Sequence, residues 1–302
     1  MGYANFAEIL AALQTMTQKR KVAVVAAQDA HTLEAVLAAA ENNLVVPILL
    51  GKENEIRKMI GDLGKNSPEP VIMDIEDPLE CAQKAVELVQ RGEAHCIMKG
   101  KIETGSLMKL LVNKESQLTT GRLMSLVAFM EIPHYHKLIA VSDVGLLMYP
   151  TLEQKKMLLE NAVNALHALG VAKPKVAVLA AVEKVNPQMP ETLDAESLKK
   201  MNEAGLISGC TVEGPISYDL AINSEAAEIK GYLSPVAGDA DLLIVPDIVA
   251  GNILAKALVY SGRAKTAGIV VGAKVPIVLT SRSAAAEDKY MSLALAALVG
   301  SR

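Results

Sequence analysis

The chain has 302 residues, 51% of them hydrophobic but 3% aromatic with no Trp, so it can bury an aliphatic core in one large domain or two ordinary ones. A net charge of −4 without a long basic run excludes a dedicated nucleic-acid surface, and no apolar run reaches the length of a membrane span. Cys81, Cys96 and Cys210 show no paired spacing, which excludes a disulfide framework or a zinc site and reads as reduced thiols.

The first residues, Met1-Gly2-Tyr3-Ala4-Asn5-Phe6, lack the basic-then-apolar order of a secretory signal, and Phe6 breaks the myristoylation pattern. A soluble, cytoplasmic protein is expected. Beyond them, short β-branched runs alternate with helical patterns. Residues 22–26, 45–50, 71–74 and 95–98 read as strands, and 31–42, 53–63 and 79–91 as helices. In the last of these helices Ala82, Ala85, Val86 and Val89 fall on one face. Strands apolar throughout and separated by helices predict a parallel sheet covered on both sides, an α/β organisation.

The middle departs from that rhythm. Residues 126–132 and 138–141 read as an antiparallel pair joined by the turn Pro133-His134-Tyr135-His136. Alternation then resumes, with helices over 152–169, 195–204, 253–260 and 285–299 and strands over 175–181, 242–245, 269–271 and 277–279. The expected division is a first α/β domain of residues 1–136 and 270–302 and a second α/β domain of residues 137–269.

Several common signatures are missing. Gly100-Lys101-Ile102-Glu103-Thr104-Gly105-Ser106 has the glycine spacing of a Walker loop without the Lys that must follow the second Gly. No G-x-G-x-x-G follows the first strand, and neither G-x-S-x-G nor H-E-x-x-H occurs. His134 and His136 lie on a tight turn without nearby Cys or carboxylate partners, and Cys96 in an apolar strand reads as an inert core thiol.

What remains is a set of loops at strand C-terminal ends, where open α/β sheets gather ligands. They carry Lys99-Gly100 with Thr104, Ser142-Asp143, Asp247 with Gly251-Asn252, and Thr280-Ser281-Arg282; a further loop, from Glu213 through Gly214-Pro215 to Asp219, follows a short apolar run. Each alone is ordinary turn and capping chemistry. Together their hydroxyls, glycine amides and Arg make a mouth suited to an anion. Ser281-Arg282-Ser283, between an apolar strand and the last helix, adds a guanidinium fork for phosphate and a small donor for a developing oxyanion. A Ser capping the helix beside a solvated Arg is the plainer alternative.

The ordered set Gly214-Pro215-Ile216-Ser217-Tyr218-Asp219, Ser234-Pro235-Val236-Ala237-Gly238, Pro246-Asp247 with Gly251-Asn252, and Thr280-Ser281-Arg282 resembles the phosphotransacylase family (phosphate acetyltransferases and phosphate butyryltransferases). Met98-Lys99-Gly100, Thr120-Gly121-Arg122 and residues 182–190 are most similar to its butyryltransferase branch. The resemblance runs from about residue 20 to the C-terminus. It implies two α/β domains of the isocitrate/isopropylmalate dehydrogenase type with a cleft between them. It also implies exchange of a short acyl group between coenzyme A and inorganic phosphate, with butyryl-CoA, or acetyl-CoA as the alternative, as substrate. Coenzyme A then enters as substrate, with no permanently bound cofactor, no metal, no nucleic acid and no membrane; a homodimer or higher homo-oligomer is implied as well.

Carried over by the same resemblance, Ser281 stabilises the oxyanion and Arg282 holds phosphate. Asp288, seven positions after the Ser, is the candidate base, with Glu287 beside it and a first-turn helix acid as the alternative for both. Where acetyl-handling relatives place an arginine, this chain has Ser106-Leu107-Met108-Lys109, so Arg122 is the candidate to take the phosphate contact. Lys99, Gly100, Thr104, Asp143, Gly214, Pro215, Asp247, Gly251, Asn252 and Thr280 complete the expected substrate-binding set. Two other classes stay open: an NAD(P)-dependent hydroxy-acid dehydrogenase of the same fold, and a non-catalytic CoA-binding module.

Overall fold

The structure, a computed structural model, describes residues 2–64, 69–281 and 284–300. In chain order the elements are α1 (Phe6–Thr15), β1 (Arg20–Val25), α2 (Ala30–Glu41), β2 (Val45–Gly51), α3 (Glu53–Leu63), β3 (Val71–Asp74), α4 (Pro78–Gln90), β4 (Cys96–Lys99) and α5 (Thr104–Val112). Then come β5 (Ser125–Glu131), β6 (Ile139–Ser142), α6 (Leu152–Ala168), β7 (Lys175–Leu179), α7 (Pro190–Glu203), β8 (Thr211–Ile216), α8 (Tyr218–Ile222), α9 (Ser224–Ile229), β9 (Leu242–Ile244) and α10 (Ile248–Lys256). The chain ends with β10 (Lys265–Val271), β11 (Ile277–Val278) and α11 (Ala286–Val299). Two compact units result, one of residues 6–124 with 267–302 and the other of residues 1–5 with 125–266.

In the unit of residues 6–124 and 267–302 the strand order is β3-β2-β1-β4-β11-β10. Neighbours run parallel from β3 through β11, and β10 returns antiparallel. Val22, Ala23, Val24 and Val25 are fully buried, as are Cys96, Ile97 and Met98 beside them. Runs apolar on both faces can sit only at the centre of a covered sheet. Each buried Val, Ile or Leu there contributes about 1.5–3 kcal/mol by leaving water. Caps fix where the helices begin. Asp29 accepts the Thr32 N–H at the start of α2, and Asp77 accepts from Leu79 and Glu80 at the start of α4, whose first turn holds Pro78.

The unit of residues 125–266 has the order β5-β6-β9-β7-β8, antiparallel between β5 and β6 and parallel beyond. Its core gathers Met130, Ile139, Val141, Ala177, Ile216, Leu220, Val236 and Leu243. Helix α6 opens on a capping box between Thr151 and Gln154. The expected antiparallel pair is present, and its Val127↔Ser142 to Met130↔Ile139 ladder is why residues 125–136 group with the later strands, not with the first domain.

Two local expectations change. Residues 213–216, read as a loop, belong to β8, which lies at the edge of its sheet, where Pro215 removes no ladder bond that a central strand would need. The stretch 248–252, read as loop, is the start of α10, because Asp247 caps it by accepting the Ala250 N–H at 3.0 Å. Among the described residues no helix is long and apolar enough to cross a membrane.

Candidate active site

The C-terminal ends of β1, β4 and β11, parallel neighbours inside their sheet, lie side by side at one end of it. Gly100 leaves β4 with its N–H on the Val25 carbonyl at 2.9 Å, and Lys101 donates to the Ala26 carbonyl at 2.7 Å. A Cβ on Gly100 would lie 2.3 Å from that Ala26 oxygen and 2.7 Å from the Val25 oxygen, so this junction admits Gly alone. The tight crossing aims Lys99 inward. Its side chain is buried, with Nζ 3.3 Å from the Gly100 carbonyl.

Around Lys99 lies a cavity of about 580 Å³, lined also by Asp29, Gly100, Glu103, Ser106 and Lys289. Thr104, exposed, opens α5 between the lining residues Glu103 and Ser106, and among the described residues no side chain caps that helix, so its first amides are open to an acceptor. Thr280 follows β11 and accepts a hydrogen bond from Lys289 Nζ at 3.1 Å. Burial pushes the Lys289 ammonium down in pKa, against the opposing charge of Asp29. For Asp29 burial alone would raise the pKa, but the two Thr32 hydrogen bonds and the Lys289 charge outweigh it and hold the carboxyl below its ordinary range.

Ser281 is exposed on the segment leaving β11, and its carbonyl accepts from Ala284 at 3.1 Å. Arg282 and Ser283 lie outside the described residues. Asp288 stands in the first turn of α11, half-buried, and is pushed up by burial and then by the neighbouring Glu287, with the Ala285 backbone opposing. It does not line the Lys99 cavity; Lys289, one residue on and turned about 100° around the helix, does.

Arg122 is not brought there. Because β11 runs parallel to β4 and β10 returns antiparallel, the β10–β11 connection lies at the opposite end of this sheet from Lys99. Thr119 bridges Ala273 in that connection, and Thr120 Oγ1 donates to the Gly272 carbonyl at 2.7 Å. Arg122, two residues further, is exposed and does not line the cavity.

In the other unit, Asp143, Asp247, Gly251 and Asn252 do come together, at the C-terminal ends of β6 and β9, but their polar atoms face backbone. Asp143 is 2% exposed; Oδ2 accepts from Leu126 at 2.7 Å, and Oδ1 from Gly145 and Leu146 at 2.8 and 2.7 Å. Burial pushes its pKa up and those N–H groups pull it back. Gly251 lets α10 approach closely, since a Cβ there would sit 2.5 Å from the Asp143 carbonyl oxygen. Asn252 Nδ2 donates to the Val144 carbonyl at 3.1 Å.

Gly214 and Pro215 are buried inside β8, where a Cβ on Gly214 would press on Val178 at 2.9 Å. They pack the sheet. Downstream of them a cavity of about 740 Å³ is lined by Glu183, Lys184, Asn186, Lys230 and Tyr232. Lys230 spans the Glu183 and Asp219 carboxylates at 3.3 and 3.0 Å, and Ser217 donates to Glu183, which holds that carboxyl low in pKa.

The sequence reading missed Asp29 and Lys289. The signal for Lys289 was present: it falls on the same helical face as Ser292, Leu293 and Ala296, all buried, where a solvated lysine does not belong. The cysteines are buried, with Cys96 pushed up to about 12 and Cys210 to about 11 by burial, and so are not nucleophiles.

A profile of the family described as phosphate acetyl/butaryl transferase matches residues 71–297. The chain is 47% identical over 279 residues to the phosphate acetyltransferase of Thermotoga maritima, covering 92% of this chain and 95% of that one. It is 42% identical over 295 residues to the phosphate butyryltransferase of Clostridium acetobutylicum, covering 98% of each. Among solved structures, a branched-chain phosphotransacylase from Enterococcus faecalis V583 superposes with a TM-score of 0.82 at 33% identity, covering 94% of this chain and 99% of the other.

Proposed function

Because the chain belongs to the phosphate acetyl/butaryl transferase family, we propose that it exchanges a short acyl group between coenzyme A and orthophosphate, with the Lys99 cavity holding the phosphoryl side. It is a phosphate acyltransferase. The observation that carries the location is the inward-facing Lys99 beside the open amides of α5 and the Thr280 end of β11. Nothing favours the dehydrogenase or the non-catalytic module: the matched family and the relatives are acyltransferases by name.

In this reading a phosphate oxygen attacks the thioester carbonyl, a C–O bond forms, and the carbonyl electrons pass to oxygen. Ser281 donates to that oxyanion and Arg282 holds the phosphate. As the oxyanion collapses the C–S bond breaks, and the thiolate leaves with a proton from Asp288. In reverse, Asp288 takes the thiol proton, sulfur attacks the acyl carbonyl of the acyl phosphate to form the C–S bond, and the C–O bond breaks as phosphate leaves. Its raised pKa supports the role, since a carboxyl that gives and takes a proton works best near ambient pH. Most of the acceleration comes from positioning two bound substrates and from the oxyanion donor.

The finer plan, two α/β domains of the dehydrogenase type, belongs to the same proposal, as do cytoplasmic residence and a homodimer or larger assembly. Exposed apolar side chains at Met148, Tyr149, Val249, Ile253 and Tyr260 support the assembly. Short acyl chains from acetyl to butyryl fit the names of the relatives, with butyryl favoured by the motifs at residues 98–100 and 182–190. The Thermotoga maritima relative, an acetyltransferase by name, supports acetyl as the second reading. Relative kcat/KM for acetyl-, butyryl- and isobutyryl-CoA separates the two.

The test is kinetic. Ser281→Ala should lower kcat by about 1–4 kcal/mol of barrier with substrate KM values little changed. Arg282→Ala should raise the phosphate KM. Full turnover in the first variant and unchanged phosphate kinetics in the second would return both residues to capping and surface roles.

A further inference from the structure

Lys289 carries an ammonium with three N–H donors on a side chain only 5% exposed. One donor reaches Thr280 Oγ1 at 3.1 Å. The carboxylate it faces, Asp29, has Oδ1 at 3.9 Å, too far for a hydrogen bond, and that oxygen already accepts the Thr32 N–H and hydroxyl. A buried ammonium with donors left over is costly unless an acceptor completes it.

Its setting selects the acceptor. Lys99, 6% exposed, lines the same cavity, and Lys101 stands at the mouth. Against these three lysines the described lining residues offer Asp29, engaged in capping α2, and Glu103, exposed at the start of α5. Two buried cations and the open amides of α5 suit a compact dianion better than a single carboxylate. The cavity of about 580 Å³ also leaves room for whatever the anion is attached to.

We propose that Lys289 binds a phosphoryl dianion in this cavity as the second cation beside Lys99, and so sets the enzyme's use of phosphate. The inference rests on the exchange reaction proposed above. Two substrates bring that chemistry: orthophosphate or the acyl phosphate formed from it, and the phosphates of coenzyme A.

The experiment measures CoA release from butyryl-CoA by wild type, Lys289→Met and Lys289→Arg, titrating phosphate and butyryl-CoA separately. The reverse reaction is run with CoA and with 3′-dephospho-CoA, and orthophosphate binding is followed by calorimetry without any acyl-CoA. Lys289→Met should raise the phosphate KM and the orthophosphate Kd about tenfold or more while the butyryl-CoA KM moves less than about twofold, and Lys289→Arg should recover part of the loss. A rise confined to CoA and absent with 3′-dephospho-CoA also upholds the phosphoryl assignment and moves it to the coenzyme. A merely structural lysine would lower stability and kcat without separating phosphate from butyryl-CoA. Phosphate and CoA constants within about twofold of wild type would overturn the proposal.

Should Lys289→Met fail to fold, acylation of lysines in the wild-type protein, mapped by mass spectrometry, carries the same question. Orthophosphate should slow labelling of Lys289, and an unchanged rate would sink the assignment. Failure of the reaction itself looks different. A wild type that releases no CoA with phosphate, yet binds orthophosphate through Lys289, loses the proposed activity and keeps the site. An active wild type indifferent to Lys289→Met does the reverse.

Discussion

Asp143 keeps both carboxylate oxygens on backbone N–H groups, with Leu126 on one side and Gly145 and Leu146 on the other. Its work is to fix the chain that leaves β6 and the chain that enters β5. Asp143→Ala should therefore destabilise the protein by about 1–3 kcal/mol, since three partly buried hydrogen bonds lose their acceptor and water can reach some of the freed N–H groups. Urea unfolding checks this; a midpoint equal to wild type would show that the carboxylate is free for other work. Asp288 differs, being half-buried beside Glu287 with its pKa pushed up. A base must be ionised, so the rate in the direction that consumes CoA thiol should rise as pH climbs through that raised value. Asp288→Asn should remove this limb of the profile, and an unchanged limb would assign the proton transfer elsewhere.

At the scale of elements, the junction between β1 and β4 decides whether the cavity exists. Gly100→Ala drives a methyl into the Ala26 and Val25 carbonyls, and neither neighbour can swing aside because both are backbone. A loss of roughly 1–3 kcal/mol is expected, with Lys99 displaced and activity falling together with the melting temperature. A variant as stable and active as wild type would mean that the crossing is looser than these contacts imply.

The same junction shows what a linear reading can reach. Strands β1 to β4 were legible because Val, Ile and Leu recur without polar breaks, and Lys99-Gly100 because it ends such a run. Strand β8 was hidden, since Gly214-Pro215 carries turn chemistry that edge position and packing against Val178 override. Helix α10 was started too late because Gly251 looks like a breaker, whereas it is needed for close approach to Asp143. Asp29 and Lys289 lie 260 residues apart in the chain and meet because α11 packs against α2, a relation that no local pattern carries.

For the whole molecule, one assay reads both the reaction and the location of its phosphate side. The buried cysteines leave a thiol assay clean, so CoA release can be followed without interference from the protein. The most direct measurement is the initial rate of CoA release from butyryl-CoA as a function of orthophosphate, for wild type and Lys99→Met. We predict saturable dependence on phosphate in the wild type and a phosphate KM raised about tenfold or more in the variant. Release indifferent to phosphate, or a Lys99→Met enzyme that saturates like wild type, would contradict the account.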